Sequence, residues 1–347
     1  MTSNQTTAGV STTAPGKGFR PSPGAGGFTR IISSIFRVRE MSVLIVNIVL
    51  IGYFAIANPA FMTAGNIANI ADFFSAVAMI AVAEVFLLIC GEIDLSSGMT
   101  FALIPIIMMT LNNDGMQLWL ALLISLMFAV LIGVFNGVIS QFLKLPSFIA
   151  TLGTMYLLHG FALTLAGSTP ISAPTDGVLV NIFGGFQWSE LIWALAIGFI
   201  LHILLTQTRY GVHTIASGAN LLGASEAGIR VIWVKMRAFI LTALVAGIAG
   251  VLDGIHIAKS FDPNAGGNNL MFQAIAAAVI GGTLLIGGSG TVIGALLGAL
   301  LLAVLQDGFN IQGVSATTFT IVEGIAILIA MGLGIYLGRF RRRAKEQ

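Results

Sequence analysis

From Met41 to about residue 338 the chain repeats one pattern, apolar runs separated by short polar breaks. A helix needs about 20 residues of this kind to cross the hydrocarbon core of a bilayer. Backbone groups find no water there, so each run must satisfy its own hydrogen bonds and is helical. Barrel strands alternate polar and apolar residues over about ten positions, whereas these runs are longer and apolar all round. Spans are expected near 41–59, 68–90, 95–111, 117–140, 147–166, 189–206, 237–257, 271–286, 290–306 and 317–338. The fold class is therefore all-α, a polytopic membrane protein with about ten transmembrane helices.

Composition agrees. Charged residues make up 9% of the 347 positions, against about 25% in a soluble domain. A net charge of +2 offers no basic face for nucleic acid. The single cysteine, Cys90, excludes a disulfide framework. Residues 1–29 are mostly Ser, Thr, Gly, Pro and Ala and read as a disordered tail. Residues 30–40 (RIISSIFRVRE) read either as an amphipathic lead-in at the membrane surface or as a plain linker. No secretory signal is expected, because the first apolar run starts only near Met41 and no small-residue cleavage site closes it. The expected domains are a cytoplasmic tail and lead-in at 1–40, a membrane domain at 41–338 and a basic cytoplasmic tail at 339–347.

Ten spans bring both termini to one side, and positive charge selects the cytoplasm. The inner segments then hold fifteen of the 16 basic residues, among them Lys144, Arg209, Arg230, Lys235 and Arg237, and only Lys259 lies outside. Glu84, Glu92, Asp94, Asp253, Asp307 and Glu323 fall in or near the apolar layer with no Lys or Arg beside them in this placement. A charge at the bilayer centre costs at least about 2.5–3.5 kcal/mol. Such residues either line a wet path or serve as structural hydrogen-bonding or interfacial groups. With no buried base, the cargo is neutral or the path does not grip it.

Two Gly-rich breaks interrupt the spans, GEIDLSSG at 91–98 and GGTLLIGGSG at 281–290. Broken helices at membrane depth are tolerated against protein or a cavity, and one break in each half points to a transport site. Close helix packing is the plainer alternative, and it is the reading for the ridge Gly290, Gly294, Gly298 and for Gly250 and Gly254. Enzyme readings fail. No phosphate loop is present, the only Gly-Lys pair being Gly16-Lys17. Gly287-Gly288-Ser289-Gly290 fits the short pattern of rhomboid intramembrane proteases, but the last histidine is His256 and none follows Ser289. His159, His202, His213, His256 and Cys90 have no metal-ligand spacing.

Four blocks carry a resemblance: GEIDLSS at 91–97, PSFIATLGTM at 146–155 followed by GSTPIS at 167–172, TRYGVHTIASGANLLGASEAGI at 208–229, and AIAAAVIGGTLLIGGSGTVIG at 274–294 running on to QDGFNIQGV at 306–314. Over residues 41–338 the chain resembles the permease subunit of bacterial ABC sugar importers of the ribose/xylose type, in the branched-chain amino acid/sugar permease superfamily. The family motif falls on Gly91, Glu92, Ile93, Asp94, Leu95 and Ser96. Three positions depart from it: Glu92 stands where Gly is usual, His159 where Arg is common, and Asp307 where Asn is common. The inner loop also reads Asn220-Leu-Leu-Gly-Ala where a more Ala-rich stretch is usual.

The resemblance implies a fold similar to the type II importer fold of vitamin B12 permeases. It also implies two permease subunits, identical or paralogous, with cytoplasmic ATPase subunits and a periplasmic sugar-binding protein. The chain itself then binds no cofactor and is not an enzyme, ATP being used by its partners at the inner membrane. A short helix over Ala219–Gly228, bracketed by Gly218 and Gly228, is expected to dock on the ATPase through a segment including Asn220, Gly223, Ala224 and Glu226. A solvated loop is the alternative there. The expected path residues are Asp94, Ser96, Thr151 and Thr154. The rival functions are an ion-gradient-driven secondary transporter and the same importer class carrying a nucleoside or polyol.

Overall fold

A computed structural model describes residues 39–315, 317, 318, 320–325 and 328 of the chain. The tail at 1–38 and the basic tail at 339–347 lie outside the described residues. Arg39 and Glu40, expected to close the lead-in, already belong to the first helix.

The membrane helices are α1 Arg39–Ala57, α2 Ala64–Ile89, α3 Ser97–Asn113, α4 Leu118–Gln141, α5 Ser147–Ala166, α7 Ser189–Gln207, α10 Val231–Asp253, α11 Gly267–Ile280 and α12 Val292–Ile311. Between them lie three short ones, α6 Val178–Gly184, α8 Arg209–Ala219 and α9 Leu221–Glu226. A π-helical turn at Gly254–Ala258 prolongs α10. Among the described residues, seven helices are long and apolar enough to cross a bilayer; α3, with 17 residues, and α11, with 14, are shorter. The expected span 317–338 falls mostly outside the described residues, although 317, 318, 320–325 and 328 are helical.

Helix α2 is the axis of the bundle. The most apolar stretch of α2 is 89% buried, where that of α1 is 17% buried. Residues Val77 to Ile89 form a continuous core against α7, α10, α11 and α12. The outer faces of α1, α4 and α7 expose Val49, Leu123 and Phe199, which suits contact with lipid.

Small residues let the helices approach closely. A Cβ on Gly133 would stand 2.5 Å from Ile240 Cα on α10. Gly294 and Gly298 face Gly281 and the Ala277 carbonyl, so the expected ridge packs α12 onto α11, while Gly290 meets Thr283 and Ile89. Gly250 lies against the Phe101 backbone and Gly254 against the Phe261 ring.

Helix polarity gathers Lys144, Arg209 and Arg230 at one end of the bundle, with both breaks and α8–α9. At the opposite end, strand β1 (Ile171–Ser172) pairs antiparallel with β2 (Ser260–Phe261). The single outer base of the sequence reading, Lys259, sits beside this pair and donates to the Ile255 carbonyl at 2.9 Å.

Candidate functional site

The first break opens at Gly91, whose φ is +73°, and residues 92–94 are neither helix nor turn. Its backbone is held by side chains. Ile93 N–H donates to Ser147 Oγ at 3.2 Å and Leu95 N–H to Thr151 Oγ1 at 3.0 Å. Asp94 Oδ1 accepts from the Ser96 amide at 2.8 Å and the Ser96 hydroxyl at 2.6 Å. Asn136 Nδ2 donates to Ser96 Oγ at 2.7 Å and reaches both Asp94 oxygens at 3.3 Å. Asp94, Ser96 and Thr151 are fully buried, and Thr154, 3% exposed, donates into its own helix at Ala150. Of the four expected path residues, three therefore meet in one enclosed polar cluster and the fourth turns back on α5. Sequence reasoning missed Asn136, although a lone amide in the apolar run of α4 was the available signal.

Glu92 corrects the expectation that the membrane-depth acids stand without a base. Lys235, read as a topology marker, places Nζ 2.6 Å from Glu92 Oε1, with side-chain exposures of 10% and 12%. Gln141 Nε2 donates to the same oxygen at 3.1 Å, and Ser140 Oγ to the other at 3.5 Å. The pair ties the break to α10 and to the end of α4. Removing one partner of a buried pair costs about 3–5 kcal/mol because a bare charge remains, whereas removing both is often neutral. Lys235→Met is thus expected to lower the thermal midpoint in detergent clearly. The double variant Lys235→Met with Glu92→Gln is expected to recover most of the loss. A double variant no better than the single would remove the ion pair from the account.

The second break turns back at once. Gly281 and Gly282 end α11, Leu284 N–H donates to the Ser289 carbonyl at 2.9 Å, and Gly287 N–H to the Leu284 carbonyl at 3.1 Å. The expected span 271–286 is therefore shorter, because Leu284–Ile286 form an apolar turn and not a helix. Gly287 (φ +86°) and Gly288 (φ +83°) need the left-handed conformation. Gly288 N–H donates at 2.7 Å to the carbonyl of Ile89, the last residue of α2 before the first break.

The surface segment completes the contact. It consists of two helices, where one over Ala219–Gly228 was expected. Asn220 separates them, leaving helical geometry to accept the Gly223 N–H at 3.0 Å as the cap of α9. Gly228, at φ +83°, ends the segment as expected, but Gly218 lies inside α8. A Cβ on Gly218 would strike the Ile89 carbonyl and stand 2.7 Å from Gly288 N. One on Gly288 would stand 2.9 Å from Ala219 Cα. Both breaks and the surface helix thus meet backbone to backbone. Tyr210 anchors the other end of α8. Its ring stacks on Phe86 at 5.9 Å and its hydroxyl donates to the Val234 carbonyl at 3.3 Å. Burial pushes this phenol above its ordinary range, so it keeps the proton it donates. Ala224 is buried, while Glu226 and the apolar pair Leu221 and Leu222 are exposed.

The other acids have separate places. Glu84 is fully buried with Ser97 and Asp94 as polar neighbours. Asp307 accepts from Asn66 at 2.6 Å, and Glu323 has Gln273 as a neighbour. Asp253 neighbours Asp72. His256 links to that group, its Nε2 lying 3.6 Å from Asp72 Oδ1 and its Nδ1 3.1 Å from Ser189 Oγ. Asp72 and Glu190 were missed as members of this group.

A membrane bundle with two broken helices joined to a surface helix has the anatomy of a transport protein. Residues 66–331 match the family described as branched-chain amino acid transport system / permease component. The chain belongs to that family and is a multi-pass membrane permease component. It is 36% identical over 322 residues to the xylose/arabinose import permease protein XylH of Sulfolobus acidocaldarius, covering 91% of this chain and 90% of the relative. The autoinducer 2 import system permease protein LsrC of Salmonella typhi is 30% identical over 309 residues, 87% of this chain and 86% of the relative. LsrC of Photorhabdus laumondii is 30% identical over 310 residues, 87% and 90% of the two chains. No solved structure matches the chain significantly.

Proposed function

We propose that the chain forms the membrane pathway of an ATP-binding-cassette importer for a monosaccharide or related neutral polar solute. The observation that carries this reading is the junction of Ile89, Gly218 and Gly288, which joins both breaks to one surface helix. The import permeases for xylose/arabinose and autoinducer 2 support the cargo class. The basic residues favour a cytoplasmic position for the junction and for both termini.

The partners are cytoplasmic ATPase subunits, a periplasmic sugar-binding protein and a second permease subunit. ATP is used by the ATPase, and this chain supplies no cofactor site. The ATPase docks on α8–α9, where Leu221 and Leu222 offer an apolar contact and Glu226 a polar one. Gly218, Asn220, Gly223, Ala224 and Gly228 give the segment its shape. Closure of the ATPase pushes α8 as a rigid body. No side chain cushions Gly218 against Ile89 and Gly288, so the push reaches both breaks together. Asp94, Ser96 and Thr151 keep the first break in form and tie it to α4 and α5, and Thr154 lines the same side of the path from α5. Weak contact with cargo suits the task, since a tight site would not release it inward.

The test is sugar import by proteoliposomes that hold the chain with or without its ATPase and binding protein. Import that requires both supports the reading, and import by the chain alone under an ion gradient contradicts it.

A further inference from the structure

A cavity of about 270 Å³ lies apart from the junction, between α5, the start of α3 and the entrance to α11. Its apolar wall is Met99 and Met155, and its polar wall is Tyr156, His159, Asn264 and Asn268. His159 Nε2 stands 3.1 Å from Asn264 Oδ1, linking mid-α5 to the loop that leads into α11. That loop is held in turn by Asp262 Oδ1, which accepts from the Asn264 amide N–H at 2.8 Å and from its side chain at 3.2 Å. Close backbone contact fixes the wall behind, because a Cβ on Gly98 would strike the Gly267 carbonyl.

Depth makes this cavity informative. His159 lies twelve residues from the start of α5, about 18 Å along the helix, so the cavity is near the middle of the span. It is partly open, and Tyr156 on its wall is 65% exposed. Hydrogen-bonding side chains facing hydrocarbon are costly, so the opening meets water or protein. No lining side chain carries a fixed charge. Thioether and aromatic surface on one side, with amide, imidazole and phenol groups on the other, suits a small neutral solute with C–H faces and hydroxyls.

We propose that this cavity is a transit site where the cargo, a single neutral polyhydroxylated molecule, touches the permease. The proposal rests on the importer reading for the cargo class, but its wetness is independent of that reading. The expected path residues Asp94, Ser96, Thr151 and Thr154 do not line the cavity, and His159, Asn264 and Asn268 meet the cargo.

The test uses membrane vesicles holding the assembled importer. Cys90 is buried, so the parent gives the background for thiol labelling. With a charged thiol reagent, Asn268→Cys is expected to label at least tenfold faster than Leu123→Cys on the outer face of α4. Equal rates would overturn the proposal. Asn268→Phe, which fills the cavity, is expected to cut D-xylose and L-arabinose import at least tenfold. Parental amounts of the variant in the membrane, with a thermal midpoint in detergent close to the parent's, should show that it folds. Normal import by Asn268→Phe would also overturn the proposal. If the parent imports neither sugar, the sugar reading fails, and the labelling ratio alone decides whether the cavity is a path.

Discussion

Gly218→Val is expected to abolish import and the stimulation of ATP hydrolysis by loaded binding protein, while the chain still enters the membrane. Valine would put its Cβ into the Ile89 carbonyl and crowd the Gly288 N–H. Overpacking of this kind costs about 1–3 kcal/mol, and the nearest relief is to lift α8 away from both breaks. The clash falls on the last residue of α2 and leaves the rest of the bundle as it is, and Tyr210 still holds α8 to Phe86 and Val234. A loss of at least tenfold in import is expected, with parental amounts of protein in the membrane. Gly52→Val, which has nothing within 4 Å of its added Cβ, is the matched control and should remain within twofold of the parent. Parental coupling in Gly218→Val would mean that motion does not enter through this contact.

Asp94→Ala is expected to damage the fold itself and not merely the passage of cargo. It removes the acceptor of the Ser96 amide, the Ser96 hydroxyl and the Asn136 side chain, all in a site with no exposure. A buried donor left unpaired costs about 1–3 kcal/mol, against a total stability of about 5–15 kcal/mol. The thermal midpoint in detergent should therefore fall by roughly 5 °C or more, with less protein recovered. Asp94→Asn keeps an acceptor oxygen for Ser96 and should retain most of the stability. Parental stability in Asp94→Ala, with import alone lost, would instead make Asp94 a group that touches cargo.

The helices were legible because hydrocarbon imposes a length and an apolar surface on each. Span 147–166 coincides with α5 to the residue. The second break was visible as glycines, but apolar content alone does not separate the turn Leu284–Ile286 from a helix, so α11 is shorter than its apolar run. Asn220 was read as part of one helix, because its cap on Gly223 is a local alternative to helical bonding that the pattern does not register. The contacts that make the site were not legible. Glu92 and Lys235 are 143 positions apart in the chain, and the Ile89, Gly218 and Gly288 contact joins bare backbone, which leaves no side-chain signal. The charge bias that marked Lys235 as a topology residue concealed its second role as the partner of Glu92.

The most direct measurement is the uptake of labelled D-xylose and L-arabinose into proteoliposomes under two kinds of drive. One set holds the chain with its ATPase subunits, internal ATP and loaded binding protein. The other holds the chain alone under a proton or sodium gradient. Uptake in the first set that stops when either ATP or binding protein is withheld, with none in the second, is the expected result. Uptake by the chain alone under the ion gradient would contradict it and make the protein a secondary transporter.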